Sequence, residues 1–421
     1  MSYLSYIAFG CCWLVVISVS ALALSSSVHG HRKRISIVTG ANGYVGREVV
    51  NVLLNDSGKD VVSTGRDNCH DEILCLVRSN RVESEKKYWK EFQQSSSSSS
   101  SKESSIRVLP YDMLDGGKTI ANALNAVLEC TSDDEESSID KKSDDLDICV
   151  YHIASVFGPS ADHIQTAKDN VQGVKDLVQT LGNFSKLHCC RLVLTSSMAA
   201  VRGSGQIPKN GEYYTNLDFN TVSKLEDNNW GSSYQWSKAE SERVAWELAT
   251  KMKIPMTTIC PSFVFGPPTT TSSNNEGNVI LSNSFSITLF GQWVRGEAAV
   301  QSRLFVDIRD VAKAHVLAGN RPEAMGERFI VSTEERMSSQ EMAKILKEVC
   351  KETGLSNPDN VSFDSEFQGG AIPIGSREVE ATSRLRDVLG LTMTPVHDTI
   401  REMGRSLLLA KDVNIKPTIT K

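Results

Sequence analysis

The stretch VTGANGYVGREVV, residues 38–50, constrains the fold more than any other part of this 421-residue chain. Residues 35–39 form a short, β-branched apolar run that suits a buried parallel strand. Residues 44–54 then place Val45, Val49, Val50, Val52, Leu53 and Leu54 along a helix. The glycines therefore sit at a strand-to-helix turn. There Gly40 permits the tight turn, Gly43 lets the backbone approach a pyrophosphate, and Gly46 lets helix and strand pack closely. The helix amino end, opened by Tyr44 and Val45, adds N–H donors and a partial positive charge, so this stretch is read as a dinucleotide-binding turn.

Strand-like and helix-like runs keep alternating after Leu54. The strand candidates are residues 73–77, 107–109, 148–153, 191–195 and 257–260, with helical stretches at 120–128, 161–181 and 234–252 between them. That order implies an α/β fold with a doubly wound parallel sheet, whose ligands collect at the carboxyl ends of the strands. The second strand runs into ILCLVRSNR, which puts Arg78 at its carboxyl end. An acidic residue there would hold the ribose hydroxyls of NAD, whereas an arginine pairs with the extra phosphate of NADP. Arg78 thus points to NADP, with NAD as the alternative. A rival register through VVSTGRD offers Arg66 and Asp67 instead.

A net charge of −6 and the lack of a basic stripe argue against a nucleic-acid partner. The cysteines show no C-x-x-C pair, and Cys75, Cys149 and Cys260 fall in apolar runs, so neither zinc nor a disulfide framework is expected. Residues 1–28 lack Asp, Glu, Lys and Arg, and HRKR follows at 31–34. Residues 1–34 are therefore read as an apolar leader with a basic flank, a signal anchor that leaves the catalytic domain on the cytosolic face, for example of the endoplasmic reticulum. Membrane contact is expected through this leader only. The competing reading is a cleaved signal and a lumenal or secreted protein. Seven serines at 95–101 and eight acidic residues among 131–147 read as surface insertions.

Chemistry enters with YQWSKAESERVAWELA, residues 234–249, where Tyr234 and Lys238 share one helix face with Cβ atoms about 5–6 Å apart. A neighbouring ammonium is expected to lower the tyrosine pKa toward working pH for acid/base catalysis. RLVLTSSMAAV, residues 191–201, ends a buried strand in Thr195, Ser196 and Ser197 at the ligand edge, where a serine hydroxyl can bond a carbonyl oxygen that becomes negative.

Together with the glycine turn, this Ser-Tyr-Lys set resembles the extended short-chain dehydrogenase/reductase superfamily over residues 35–317 and, more weakly, to the carboxyl end. Further matches are YDMLDG at 111–116, VYHIAS at 150–155, NVQGVKDLV at 170–178, CPSFVFGPP at 260–268 and FVDIRDVAKAHVLA at 305–318. The resemblance is strongest to the branch of dihydroflavonol, cinnamoyl-CoA and aldehyde reductases. It implies a Rossmann domain over residues 35–333, and a smaller, discontinuous substrate-binding region completed by 334–421. By the same resemblance Ser197, Tyr234 and Lys238 are catalytic. Gly40, Gly43, Tyr44, Val45, Gly46, Arg78, Asp112, Met113, Ile153, Ala154, Ser155, Asn170, Tyr234, Lys238 and Pro261 bind the cofactor.

The implied reaction is NADPH-dependent reduction of a small-molecule aldehyde or ketone, reversibly from the alcohol. The alternatives are a nucleotide-sugar epimerase or dehydratase and a 3β-hydroxysteroid-type dehydrogenase. Asp310 is expected to cap or dock a helix, and His152 and His315 to be structural. Tyr213, Tyr214, Trp230 and Phe290 are candidate contacts for a flat apolar substrate or members of the core. Homodimerisation is left open.

Overall fold

The computed structural model describes residues 32–55, 72–96, 104–129, 146–184, 190–269, 284–333, 336–365 and 378–410. The leader through residue 31, Arg66, Asp67 and most of both insertions lie outside them.

The strands are β1 Lys33–Thr39, β2 Glu72–Val77, β3 Ser105–Pro110, β4 Leu146–His152, β5 Cys190–Thr195, β6 Met256–Pro261, β7 Phe263–Phe265, β8 Phe305–Asp307 and β9 Arg328–Val331. Seven of them form one parallel sheet in the order β3-β2-β1-β4-β5-β6-β9, and β7 pairs with β8. The central strands are buried along their length because helices cover both faces. Alternate residues of β1 serve the two cores: Val38 packs with one, Ile35 and Ile37 with the other.

The first core is closed by α1 Tyr44–Asn55, α2 Val82–Ser96, α8 Ile308–Asn320 and α10 Glu378–Leu389. The second lies under α3 Lys118–Glu129, α4 His163–Asn183 and α6 Trp230–Met252. A separate cluster joins β7 and β8 to α7 Phe285–Val294, α9 Ser339–Thr353 and α11 Val396–Leu409. The one-turn helix α5, Met198–Val201, follows β5. The smaller region is thus discontinuous, as expected, but α10 packs back on the Rossmann core through Leu385 and Leu389.

Three expectations need correction. Lys33 and Arg34, read as part of the leader's basic flank, begin β1, paired with Leu146 and Asp147. Their side chains pair with Glu72 and Asp147. Asp147, assigned to the acidic insertion, lies in β4, where Arg34 and Arg191 hold its carboxyl below the usual range against the opposing effect of burial. The serine run is not wholly insertion either, since its first two residues finish α2. In each case a long-range ion pair or a continuing helix overrides a local charge or composition pattern. Among the described residues, no helix is long and apolar enough to cross a membrane.

At the β1–α1 turn Gly40 has φ +68°, and a Cβ on Gly46 would lie 2.1 Å from the Gly40 carbonyl oxygen. Gly46→Ala is therefore expected to cost about 1–3 kcal/mol, read as an earlier urea midpoint. Gly43→Ala, whose Cβ would meet the same oxygen at 3.1 Å, should cost less.

Candidate active site

The site grows from the reversal of strand order between β1 and β4, where an open α/β sheet leaves a crevice. Thr39 ends β1, and its Oγ1 accepts from the amides of Ile153 (3.2 Å) and Ala154 (3.3 Å). With both lone pairs used, the Thr39 hydroxyl donates to His152 Nδ1 at 2.9 Å, which assigns the histidine proton to Nε2. His152 is buried, and burial, with Lys238 nearby, pushes its pKa down to about 3. It is a neutral structural residue, as expected.

Gly40 and Ala41 donate to the Leu76 carbonyl, which holds the glycine turn against the end of β2, two residues before exposed Arg78. A Cβ on Gly40 would lie 3.0 Å from the Ala154 backbone, so Gly40 and Ala154 meet without a side chain between them. The Tyr44 hydroxyl donates to Gly266 O at 2.6 Å, and Val45 packs on the core. Both side chains are thus engaged within the protein. Pro261 ends β6, buried, on the other side of this clasp. Along the β3 edge, Asp112 is exposed and accepts from Leu114 N, while Met113 fills the space left beside Gly173.

Asn170 is buried under the loop that follows β4. Its Oδ1 accepts from Val156 N at 2.8 Å and its Nδ2 donates to Val156 O at 2.9 Å. One bond at each end of the amide thus holds the loop after β4 in place.

Ser197, Tyr234 and Lys238 come together at the same sheet edge. Ser197 caps α5, accepting from Ala199 N at 3.1 Å, and its hydroxyl neighbours the Tyr234 phenol. Asn229 caps α6, which presents Tyr234 and Lys238 one turn apart. Lys238 Nζ donates to Ser155 Oγ (3.2 Å) and Thr195 O (3.5 Å) and lies 6.0 Å from the centroid of the Tyr234 ring.

The expected fall in the tyrosine pKa is not found in the protein alone. Burial pushes Tyr234 up to about 12, although the neighbouring Ser197 hydroxyl opposes it, and burial pulls Lys238 down to about 8 against the negative charge of Glu242. Desolvation outweighs the lysine because its ammonium sits beyond contact distance of the ring. Thr195 Oγ1 meets His315 Nε2 at 2.7 Å, and His315 Nδ1 meets Val311 O at 2.7 Å, so His315 supports β5 from behind.

Sequence reading missed part of the site wall. Phe157 packs on Tyr234 (centroids 4.6 Å), Phe285 (5.5 Å) and Trp230 (6.1 Å), and Phe263 continues the row to Phe285 at 6.1 Å. Of the proposed substrate contacts, Trp230 belongs here. Phe290 is fully buried in the core beside Phe265 and Trp293, and Tyr214 is buried with its hydroxyl on Gln206 O. Two signals were available: Phe157 follows the VYHIAS strand closely, and Phe263 lies within CPSFVFGPP. Asp310 docks rather than caps. Its carboxylate takes Thr394 N (2.7 Å) and Oγ1 (2.9 Å), whereas Asp307 caps α8.

These residues fit a dinucleotide. The turn lacks side chains where a pyrophosphate would approach, Arg78 stands exposed beside it, and Tyr234 and Lys238 close the other end.

Known proteins share this fold. The model of the NAD dependent epimerase/dehydratase family matches residues 36–332. The NADPH-dependent methylglyoxal reductase of Saccharomyces cerevisiae is 27% identical over 399 residues, 91% of this chain and 95% of that protein. A cinnamoyl-CoA reductase of Medicago truncatula is 28% identical over 281 residues, 63% of this chain and 75% of its own. The crystal structure of the yeast methylglyoxal/isovaleraldehyde reductase complexed with NADPH superposes with a TM-score of 0.63 at 22% identity, covering 89% of this chain and 98% of that one. With most of its Rossmann sheet and the glycine turn inside the matched region, the chain belongs to the NAD dependent epimerase/dehydratase family.

Proposed function

We propose that this protein reduces the carbonyl group of a small aldehyde or ketone with NADPH, reversibly from the alcohol. The observation that carries this reading is the convergence of Ser197, Tyr234 and Lys238 at the sheet edge that also holds the glycine turn. When bound, the nicotinamide supplies the hydride. The turn at Gly40 and Gly43, with Gly46 packing helix on strand, would admit the pyrophosphate, Arg78 would hold the extra phosphate of NADPH, and Lys238 the ribose. Ser197 donates a hydrogen bond to the carbonyl oxygen, and Tyr234 delivers the proton to the same atom. A tyrosine raised to about 12 remains protonated at neutral pH, which suits the donor of a reduction.

The exposed aromatic edge of Phe157, with Trp230 and Phe285, supports an apolar substituent on the substrate. The names of the two reductase relatives support carbonyl reduction, and Arg78 supports NADPH over NAD. The uncharged leader, followed at once by HRKR at 31–34, supports membrane attachment with the catalytic domain on the cytosolic side.

Three outcomes are expected. Tyr234→Phe should lower kcat by about 10²- to 10⁴-fold while NADPH binding, followed by fluorescence titration, stays near wild type. Arg78→Ala should weaken NADPH binding by about tenfold or more and leave NADH binding unchanged. Because the ammonium form of Lys238 is the competent one, kcat/KM for reduction should fall as pH rises through about 8, and a steady-state pH profile reads this directly.

A further inference from the structure

One turn beyond Lys238 on α6, Glu242 is fully buried and paired with buried Arg328 of β9, with Nε to Oε1 at 2.6 Å and Nη2 to Oε2 at 3.1 Å. The same carboxylate accepts from Ser196 Oγ at 2.5 Å and Thr258 Oγ1 at 3.0 Å. Arg328 is used to its last donor. It bonds the carbonyls of Ala200 (3.2 Å), Asn216 (3.1 Å) and Asp218, and its guanidinium lies 3.9 Å from the Phe219 ring centroid. A buried ion pair is weak evidence for stability, because its desolvation offsets much of the attraction. What this pair does have is connections. It reaches the residue before Ser197, the far end of the short helix that Ser197 caps, the helix that carries Tyr234 and Lys238, and segment 216–220. That segment returns to the site through Asn220, bonded to Ala199 O and Ser223, and Ser223 donates to Gln235 beside Tyr234.

We propose that Glu242 and Arg328 are positioning residues for the reaction: the pair fixes Ser197 against Tyr234, holds a carboxylate one turn from Lys238, and ties segment 216–220 to both. This rests on the reductase reading above. The groups that act on Lys238 or surround it are Tyr234 and Glu242 on its own helix, His152 and Ser155 from β4 and its loop, Thr195 from β5 and Cys260 from β6. Among these Glu242 is the carboxylate, so its removal takes away an interaction that favours the ammonium form.

The test uses the full chain with Glu242→Gln, which keeps the shape and removes the charge. The measurements are kcat and KM, NADPH affinity, and the pH midpoint of Lys238 acetylation by acetic anhydride, read by mass spectrometry. The expected result is a kcat about 10- to 100-fold lower, NADPH affinity unchanged, and a Lys238 midpoint moved to lower pH. A folded variant with wild-type kcat, or one with reduced kcat and an unmoved midpoint, overturns the proposal. If Glu242→Gln alone does not fold, the neutral pair Glu242→Gln/Arg328→Gln decides: reduced kcat with unchanged NADPH affinity supports the proposal, and wild-type kcat overturns it. A wild-type protein that binds NADPH but reduces no carbonyl would contradict the reductase reading, while the acetylation midpoint still tests the pair.

Discussion

At the reversal point of the sheet, the Thr39 hydroxyl holds the end of β1 to the first amides after β4 and to His152. The geometry of the crevice depends on that one side chain. It brings Ala154 against Gly40 with no room for a Cβ, and it aims the loop that carries Ser155 toward Lys238. Asn170 secures the next stretch of the same loop through Val156. The cofactor edge and the catalytic edge are thus two sides of one short, heavily hydrogen-bonded loop.

Desolvation sets the electrostatics of the site. Tyr234, Lys238, His152 and His315 all shift in the direction that burial dictates, and nearby charges only moderate the result. Glu242 works against the loss of the Lys238 proton, and Ser197 works against the rise at Tyr234. A site built this way keeps its tyrosine protonated and its lysine close to neutrality in affinity, which places both groups in the states that proton delivery to a carbonyl oxygen requires.

Much of this was legible in the sequence wherever the signal is local. The glycine turn, the alternation of strands and helices, and the one-turn spacing of Tyr234 and Lys238 depend on residues near in sequence, and the structure places all of them at one sheet edge. The role of Asn170 was not legible, because its partner is fixed by the path of a loop fourteen residues away. Lys33 and Arg34 looked like a flank because their acids, Glu72 and Asp147, arrive from distant strands. The row of Phe157, Phe263 and Phe285 draws one ring from each of three separate segments, and Glu242 meets Arg328 across 86 residues. Long-range contacts of this kind leave no periodic trace.

In the proposed reaction hydride leaves NADPH for a carbonyl carbon beside Ser197 and Tyr234. Deuterium transfer tests it most directly: the purified protein is incubated with an aldehyde and NADPH deuterated at the transferable C4 position, and the alcohol is analysed by mass spectrometry. The account predicts one deuterium on the carbinol carbon of the product. A protein that retains resident NAD, releases no oxidised NADP and leaves the aldehyde unlabelled would contradict it.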